Sequence, residues 1–302
     1  MRIGYLCMQG EFSVKPLSAL LRAGHDVRFV MRPLPRSFRR FPVLHRVSED
    51  PLERQATDEA CAHEPFVVAG EAGIPRYLVG DASAQEAIQL YQAEKIDLIV
   101  VAFFNQLLSI EALSVTRFGG VNAHPSLLPE LRGAAPLFWT YYDGRGRSGV
   151  TVHQIAAGED DGAVFEQFDH PVPFGSRAED LLSTMADAAA QGVELALRQI
   201  AAGQGPRFAQ DEACVSRAPR PHPADTLLQP AWGARRIFHF VRGVGRMYPL
   251  KVLLHDTAYR CIDAVAFDEG RRMPAEWGLV GDSLVLGCVD GAVTLQVTPE
   301  ES

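Results

Sequence analysis

Val121-Asn122-Ala123-His124-Pro125-Ser126-Leu127-Leu128-Pro129, continuing as Glu130-Leu131-Arg132-Gly133-Ala134-Ala135-Pro136, is the stretch around which the chain is read. It follows Ile96-Asp97-Leu98-Ile99-Val100-Val101-Ala102-Phe103-Phe104, an apolar β-branched run with the character of a buried strand. Asn122 and His124 sit two apart, so on an extended segment their side chains leave the same face. Pro125 restricts His124 to extended conformations and Pro129 does the same for Leu128, which makes the exit stiff. An amide donor and an imidazole fixed side by side at a strand end suit a developing oxyanion and a moving proton. Taken alone, an Asn-x-His also fits a bulge or turn with a satisfied buried histidine.

A second block changes that balance. Gly149-Val150-Thr151-Val152-His153-Gln154-Ile155 alternates as a half-buried strand and runs into Ala157-Gly158-Glu159-Asp160-Asp161-Gly162. This puts a carboxylate on a glycine-flanked loop, after a strand able to neighbour the first. Asn122, His124 and Asp160 together would supply a donor, an acid/base and a charge that orients or takes protons. The spacing permits their contact without establishing it.

The rest of the chain sets bounds. A length of 302 residues suggests two domains or one large one. An apolar share of 47% with 22% charged residues is that of a protein able to bury a real core. The net charge of -8 argues against generic nucleic-acid coating while leaving room for a local basic patch. Five scattered cysteines, with no Cys-x-x-Cys, favour a reducing compartment and no structural metal. Cys61-Ala62-His63 could be half of a metal site, but no second half follows, which favours an ordinary cysteine and histidine. The opening Met1 to Met8 is too short an apolar run for a signal peptide, and no stretch approaches membrane-spanning length. A cytoplasmic location without membrane partners is the expectation.

In chain order, Ile3 to Met8 and Asp26 to Met31 read as strands around a helix from Val14 to Arg22. That opening implies a parallel sheet, and Gly10 as the only glycine of the first turn leaves the dinucleotide fingerprint absent. Arg32, Arg36, Arg39, Arg40, His45 and Arg46 then crowd together with Phe38 and Phe41, followed by acids from Glu49 to Glu59. This is either a solvated insertion or a phosphate-recognising loop. A short strand (Gly73 to Val79) and a helix (Ala84 to Lys95) lead to the buried strand. Phe103 to Leu108 then form a loop at its C-terminal end, where ligands collect in open α/β sheets; Phe103 is expected in the core. Helices are expected over Pro136 to Tyr142, Ala178 to Ala202 and Trp232 to Arg246. Gly203 to Ala224, rich in proline and arginine, reads as a linker. Short strands from Lys251 to Val297, with turn signals at Gly281-Asp282 and Asp290-Gly291, close the chain.

The stretch NAHPSLLPELRGAAP, a tryptophan-containing helix, SGVTVHQI and GEDDGAVFEQ resemble the folate-dependent formyltransferases, which act on methionyl-tRNA, glycinamide ribonucleotide and amino sugars. The resemblance runs in order from Met1 to Gln167 and more weakly beyond. It implies an α/β fold: a Rossmann-like parallel-sheet formyltransferase domain with a smaller, mostly β, OB-like barrel at the C-terminus. The implied division is residues 1–205 for the catalytic domain, 206–224 for the linker and 225–302 for the C-terminal domain. It implies a catalytic trio of Asn122, His124 and Asp160, aligned by Gly158-x-Asp160-x-Gly162. The implied formyl donor is 10-formyltetrahydrofolate, held mainly by backbone groups. Its implied contacts are Phe104, Asn105, Gln106, Leu107 and Leu108, with Ser126, Leu127, Ala156, Ala157 and Gly158. Two departures stand beside the site: Gly144 to Gly149 where many members have an acid and a threonine, and Glu159 where an apolar residue is common. The expected acceptor is a primary amine on a small, phosphate-bearing molecule such as a nucleotide-linked amino sugar. Methionyl-tRNA is the runner-up. A hydrolase of the same folate, and a silent folate- or sugar-binding module, are the remaining alternatives.

Overall fold

The computed structural model describes residues 1–34, 43–47, 64–229, 231–254, 257–270 and 278–299. The first sheet is built from β1 (Arg2–Cys7), β2 (Asp26–Pro33), β3 (Leu44–Val47), β4 (Arg76–Val79), β5 (Leu98–Ala102), β6 (Gly120–His124), β7 (Arg147–Gln154) and β8 (Val164–Pro171). Their order in space is β3-β4-β2-β1-β5-β6-β7-β8. Pairing is parallel from β4 through β2, β1 and β5 to β6, whereas β3 and β7 join antiparallel. In this sheet, the strands that hydrophobic pattern does not mark are β3 and β8. Each has at most a short buried run among exposed positions, so no clean alternation marks it.

Helices α1 (Glu11–Arg22), α2 (Pro65–Glu71), α3 (Gln85–Ala93) and α4 (Ile110–Ser114) connect the parallel strands. All five residues of β5 are buried, as a strand covered on both faces requires. The apolar run is longer than the strand because Phe103 takes a positive φ of 58° and turns the chain out of the sheet. Phe103 is consequently half-buried, its ring centroid 6.2 Å from that of Phe12.

By compactness the chain divides into two units, Met1–Arg132 with Gly149–His170 and Leu182–Ser216, and Gly133–Ser148 with Pro171–Leu181 and Arg217–Ser302. The second unit has a five-stranded antiparallel sheet ordered β11-β12-β13-β10-β9. Its strands are β9 (Leu250–Leu254), β10 (Thr257–Glu269), β11 (Gly278–Val280), β12 (Ser283–Cys288) and β13 (Gly291–Pro299). Helix α5 (Pro136–Tyr142) belongs to it, while α6 (Ala178–Ala201) begins there and ends in the first unit. Helix α7 (Ala234–Val244) buries Ile237, Phe240, Val241 and Val244 at helical spacing and leaves Arg235 and Arg236 exposed. Phe138 of α5 meets Phe240 edge-on, ring centroids 5.4 Å apart. Gly243 allows that approach, since a Cβ there would lie 2.1 Å from Tyr141.

Most of the arginine-rich stretch, including Arg36, Phe38, Arg39, Arg40 and Phe41, lies outside the described residues, as do the acids from Glu49 to Glu59 and Cys61-Ala62-His63. Arg32 is described and engaged: it pairs with Glu64 at 2.5 Å and stacks over the Phe66 ring at 4.9 Å. Among the described residues no helix is long and apolar enough to cross a membrane.

The loop between β7 and β8 is closed by Gln154 N donating to Ala163 O at 2.9 Å. Gly162 makes this closure feasible, because a Cβ there would sit 1.7 Å from Gln154 O. Gly162→Ala should therefore pry the loop from its strand and cost about 1–3 kcal/mol, as overpacking does. A thermal melt indistinguishable from wild type would show that the loop is not packed this tightly.

Candidate active site

Asn122 and His124 leave β6 on one face, and the antiparallel register places His153 of β7 directly opposite Asn122 and Thr151 opposite His124. Such directly opposed residues are near neighbours on one sheet face. The loop after β7 returns over this face and brings in Asp160. Asn122 Nδ2 donates to Asp160 Oδ1 at 3.2 Å and lies 3.1 Å from His153 Nε2. His124 Nδ1 is 3.5 Å from Asp160 Oδ2, and its Nε2 is 3.0 Å from Leu131 O. Asp160 thus contacts both Asn122 and His124, which brings the three expected residues together.

Hydrogen-bond roles follow from the partners. His153 Nδ1, 2.8 Å from Gln154 O, must donate to that carbonyl. Its Nε2, which also lies 3.5 Å from Asp160 Oδ1, accepts from Asn122, since an amide nitrogen only donates. The Asn122 amide therefore spends both hydrogens, one on Asp160 and one on His153. His124 faces oxygen on both nitrogens, so its contacts are complete when both carry hydrogen. Its side chain is 6% exposed and that of Asp160 14%, so these contacts lie largely out of solvent. Interactions in such surroundings are stronger than in water.

The sequence places His153 on its strand without marking it as a site residue. The available signal was the polar pair Thr151 and His153, alternating with buried Val150 and Val152. Thr151 serves the neighbouring loop: its Oγ1 accepts from Leu128 N at 3.0 Å and donates to Ser126 O at 2.7 Å.

The expected folate contacts divide into two kinds. Phe104, half-buried, and Ile155 pack on the same core cluster as buried Leu108, giving an apolar wall beside the trio's sheet. Asn105, Leu107, Ala157 and Gly158 are exposed, and Ala156 is half-buried, so their backbones are within reach of a ligand. Gln106 and Ser126 are committed elsewhere. Gln106 accepts from Ala82 N at 2.8 Å and donates to Gly80 O at 3.1 Å, tying two loops together. Ser126 donates to Glu130 O at 2.7 Å, and Leu127 packs where a Cβ on Gly149 would intrude.

No described cysteine is suited to act as a thiolate nucleophile. Burial pushes the Cys7 thiol up, and raises Cys261 to about 12 and Cys288 to about 11. The hydrogen bond to Asp211 raises Cys214.

An α/β sheet carrying this cluster beside an apolar wall defines a group-transfer enzyme. Residues 45–197, about half of the chain, match the formyl transferase family, and the chain belongs to it. Methionyl-tRNA formyltransferase of Moorella thermoacetica is 30% identical over 238 residues, which cover 78% of this chain and 70% of the relative. Among solved structures, WlaRD, a sugar 3N-formyl transferase crystallised in the presence of dTDP and 5-N-formyl-THF, superposes with TM-score 0.67. Its identity is 15%, covering 100% of this chain and 99% of that one. HypX from Aquifex aeolicus, in complex with tetrahydrofolic acid, superposes with TM-score 0.66 at 16% identity, and this chain spans 44% of its length. At such identities these two likenesses concern the fold.

Asp160 has φ +53°, in the left-handed region that asparagine and aspartate tolerate best among residues with a Cβ. Asp160→Asn should keep this backbone, whereas Asp160→Ala should be less stable by about 1–2 kcal/mol. Denaturant or thermal unfolding of the two variants checks it; equal stability would mean that the loop's strain is not borne there.

Proposed function

We propose that this chain transfers a formyl group from 10-formyltetrahydrofolate to a primary amine, with Asn122, His124 and Asp160 as its catalytic residues. The observation that carries the reading is the contact of these three side chains in a chain of the formyl transferase family. The bound folate supplies the carbonyl carbon that the amine attacks. His124 Nε2–H and the Asn122 amide are the donors available to the formyl oxygen as it gains charge, each exchanging a resting partner for it. Asp160, between them, orients His124 and receives the proton shed by the acceptor nitrogen. That proton ends on the folate nitrogen that loses the formyl group, so charge and atoms balance. The wall of Phe104, Leu108 and Ile155, with open backbone at Asn105, Leu107, Ala157 and Gly158, suits a flat heterocycle that needs few directional contacts. Gln106 and Ser126 enter this reading as residues that shape the pocket, their side chains being already bonded internally.

For the acceptor, the reading is a small amine bearing phosphate, such as a nucleotide-linked amino sugar. A net charge of -8 disfavours a long polyanion, and Arg32 is already neutralised by Glu64. Methionyl-tRNA is the second reading, favoured by the 30% identity to an enzyme named for that substrate.

Asn122→Ala and His124→Ala should each lower turnover by about two to three orders of magnitude, and Asp160→Asn by a similar amount, while folate still binds. A variant with near-normal turnover would remove that residue from the trio. Acceptor choice is read from salt dependence. A small diphosphate acceptor should lose little affinity between 50 and 200 mM salt, whereas a partner contacted at 6–10 phosphates loses about 10³–10⁵-fold. Efficient formylation of charged initiator tRNA with a steep slope would promote the second reading.

A further inference from the structure

We propose that residues 207–216, within the stretch whose composition reads as a linker, form a strap that holds both oxygens facing His124, with Gln210 and Ser216 as its positioning residues. The two ring nitrogens face Leu131 O and Asp160 Oδ2. Leu131 and Asp160 are both in the left-handed region, at φ +58° and +53°. A leucine is poorly suited to that region, and such conformations persist only where the surroundings over-determine them.

The strap supplies that determination at both places. Ser216 Oγ accepts from Leu131 N at 2.9 Å, and Ser216 O accepts from Arg132 N at 3.0 Å. Gln210 Nε2 donates one hydrogen to Asp160 O at 2.7 Å and the other to Gly162 O at 2.8 Å. Its amide cannot flip without loss, because Gln210 Oε1 accepts from Arg132 Nε at 2.9 Å. Arg132 is 3% exposed and is itself fixed by Glu212, which receives its two terminal nitrogens at 2.7 and 3.3 Å. Upstream, the strap is fastened to β8: Arg207 N donates to Val164 O, and Val164 N to Phe208 O, both at 2.8 Å. Without Gln210 two carbonyls lose their donor, Asp160 is free to leave its left-handed φ, and its carboxylate swings from the imidazole. Without Ser216 the same holds for Leu131 and its carbonyl.

The consequence for turnover rests on the formyl-transfer reading, so the test has one arm independent of activity. The full chain is labelled with ¹⁵N-histidine, and the His124 ring resonances are assigned by their loss in His124→Gln. Gln210→Ala should move the Nδ1 resonance and Ser216→Ala the Nε2 resonance. Arg207→Ala, which takes an exposed guanidinium from the buried Glu166 carboxylate and leaves the side-chain bonds of Gln210 and Ser216 in place, should move neither. In the second arm, Gln210→Ala should lower kcat about 10- to 100-fold, the scale of a misplaced catalytic group, with KM for the folate donor within about twofold. In an Asp160→Asn background the same substitution should cost almost nothing further, because it acts through that carboxylate. His124 resonances unmoved by both variants, or a Gln210→Ala loss that simply adds to that of Asp160→Asn, would overturn the strap. A wild-type chain that formylates no amine would overturn the function instead, and the resonances would still decide the strap.

Discussion

One imidazole, that of His124, is held between two oxygens, and the arrangement of the first unit follows from keeping it there. Leu131 O lies 3.0 Å from Nε2 and Asp160 Oδ2 3.5 Å from Nδ1, with the ring almost wholly buried. Burial makes each contact strong and makes its loss costly, since an orphaned polar group there has no water to turn to. The sheet fixes only the ring, through β6. Both oxygens come from irregular chain, and irregular chain keeps a geometry only when other groups bind its backbone. Thr151 and Ser216, which accept from Leu128 N and Leu131 N, and Ser126 and Gln210, which donate to Glu130 O and Asp160 O, are those groups.

The resting site is also saturated. Asn122 gives both amide hydrogens to Asp160 and His153, and His124 faces acceptors on either side. A donor already bonded in the correct direction can be exchanged onto a substrate oxygen without being reoriented, which is the economy of a preorganised site. His153 contributes by fixing which way the Asn122 amide faces, and its own tautomer is fixed in turn by Gln154 O.

Hydrophobic pattern carried the parallel strands, helices α1, α3, α5, α6 and α7, and all of the antiparallel C-terminal sheet but β11, because a strand covered on both faces leaves a continuous apolar run and the other elements bury one face or stripe. The proximity of Asn122, His124 and Asp160 was legible for a different reason: Asn122 and His124 share a strand face by spacing, and glycines mark the Asp160 loop. What stayed hidden depends on partners distant in sequence. Nothing near Gln106 or Ser126 reveals that their side chains tie loops together, because a polar residue that closes a loop looks like one that meets a ligand. Arg32 reads as a free cation until Glu64, beyond the basic stretch, is placed beside it at 2.5 Å. His153 needed the register of β7 against β6, which alternation alone does not supply.

The segment from 207 to 216 shows the same limit most sharply. The prolines and arginines of the wider stretch 203–224 and the lack of periodicity indicate that it has no core of its own, and composition then suggests a spacer. Composition reports on burial, however, and this segment works through directional hydrogen bonds, which need no apolar pattern. Gln210 and Ser216 lie beyond residues 45–197, where the family match ends. A fragment ending at residue 205 would retain Asn122, His124 and Asp160 but lose Gln210, Glu212 and Ser216. Its sheet could stand while the two left-handed residues beside His124 lost the groups that hold them. In the proposed reading, the side chains that react and the groups that position them therefore come from separate parts of the chain.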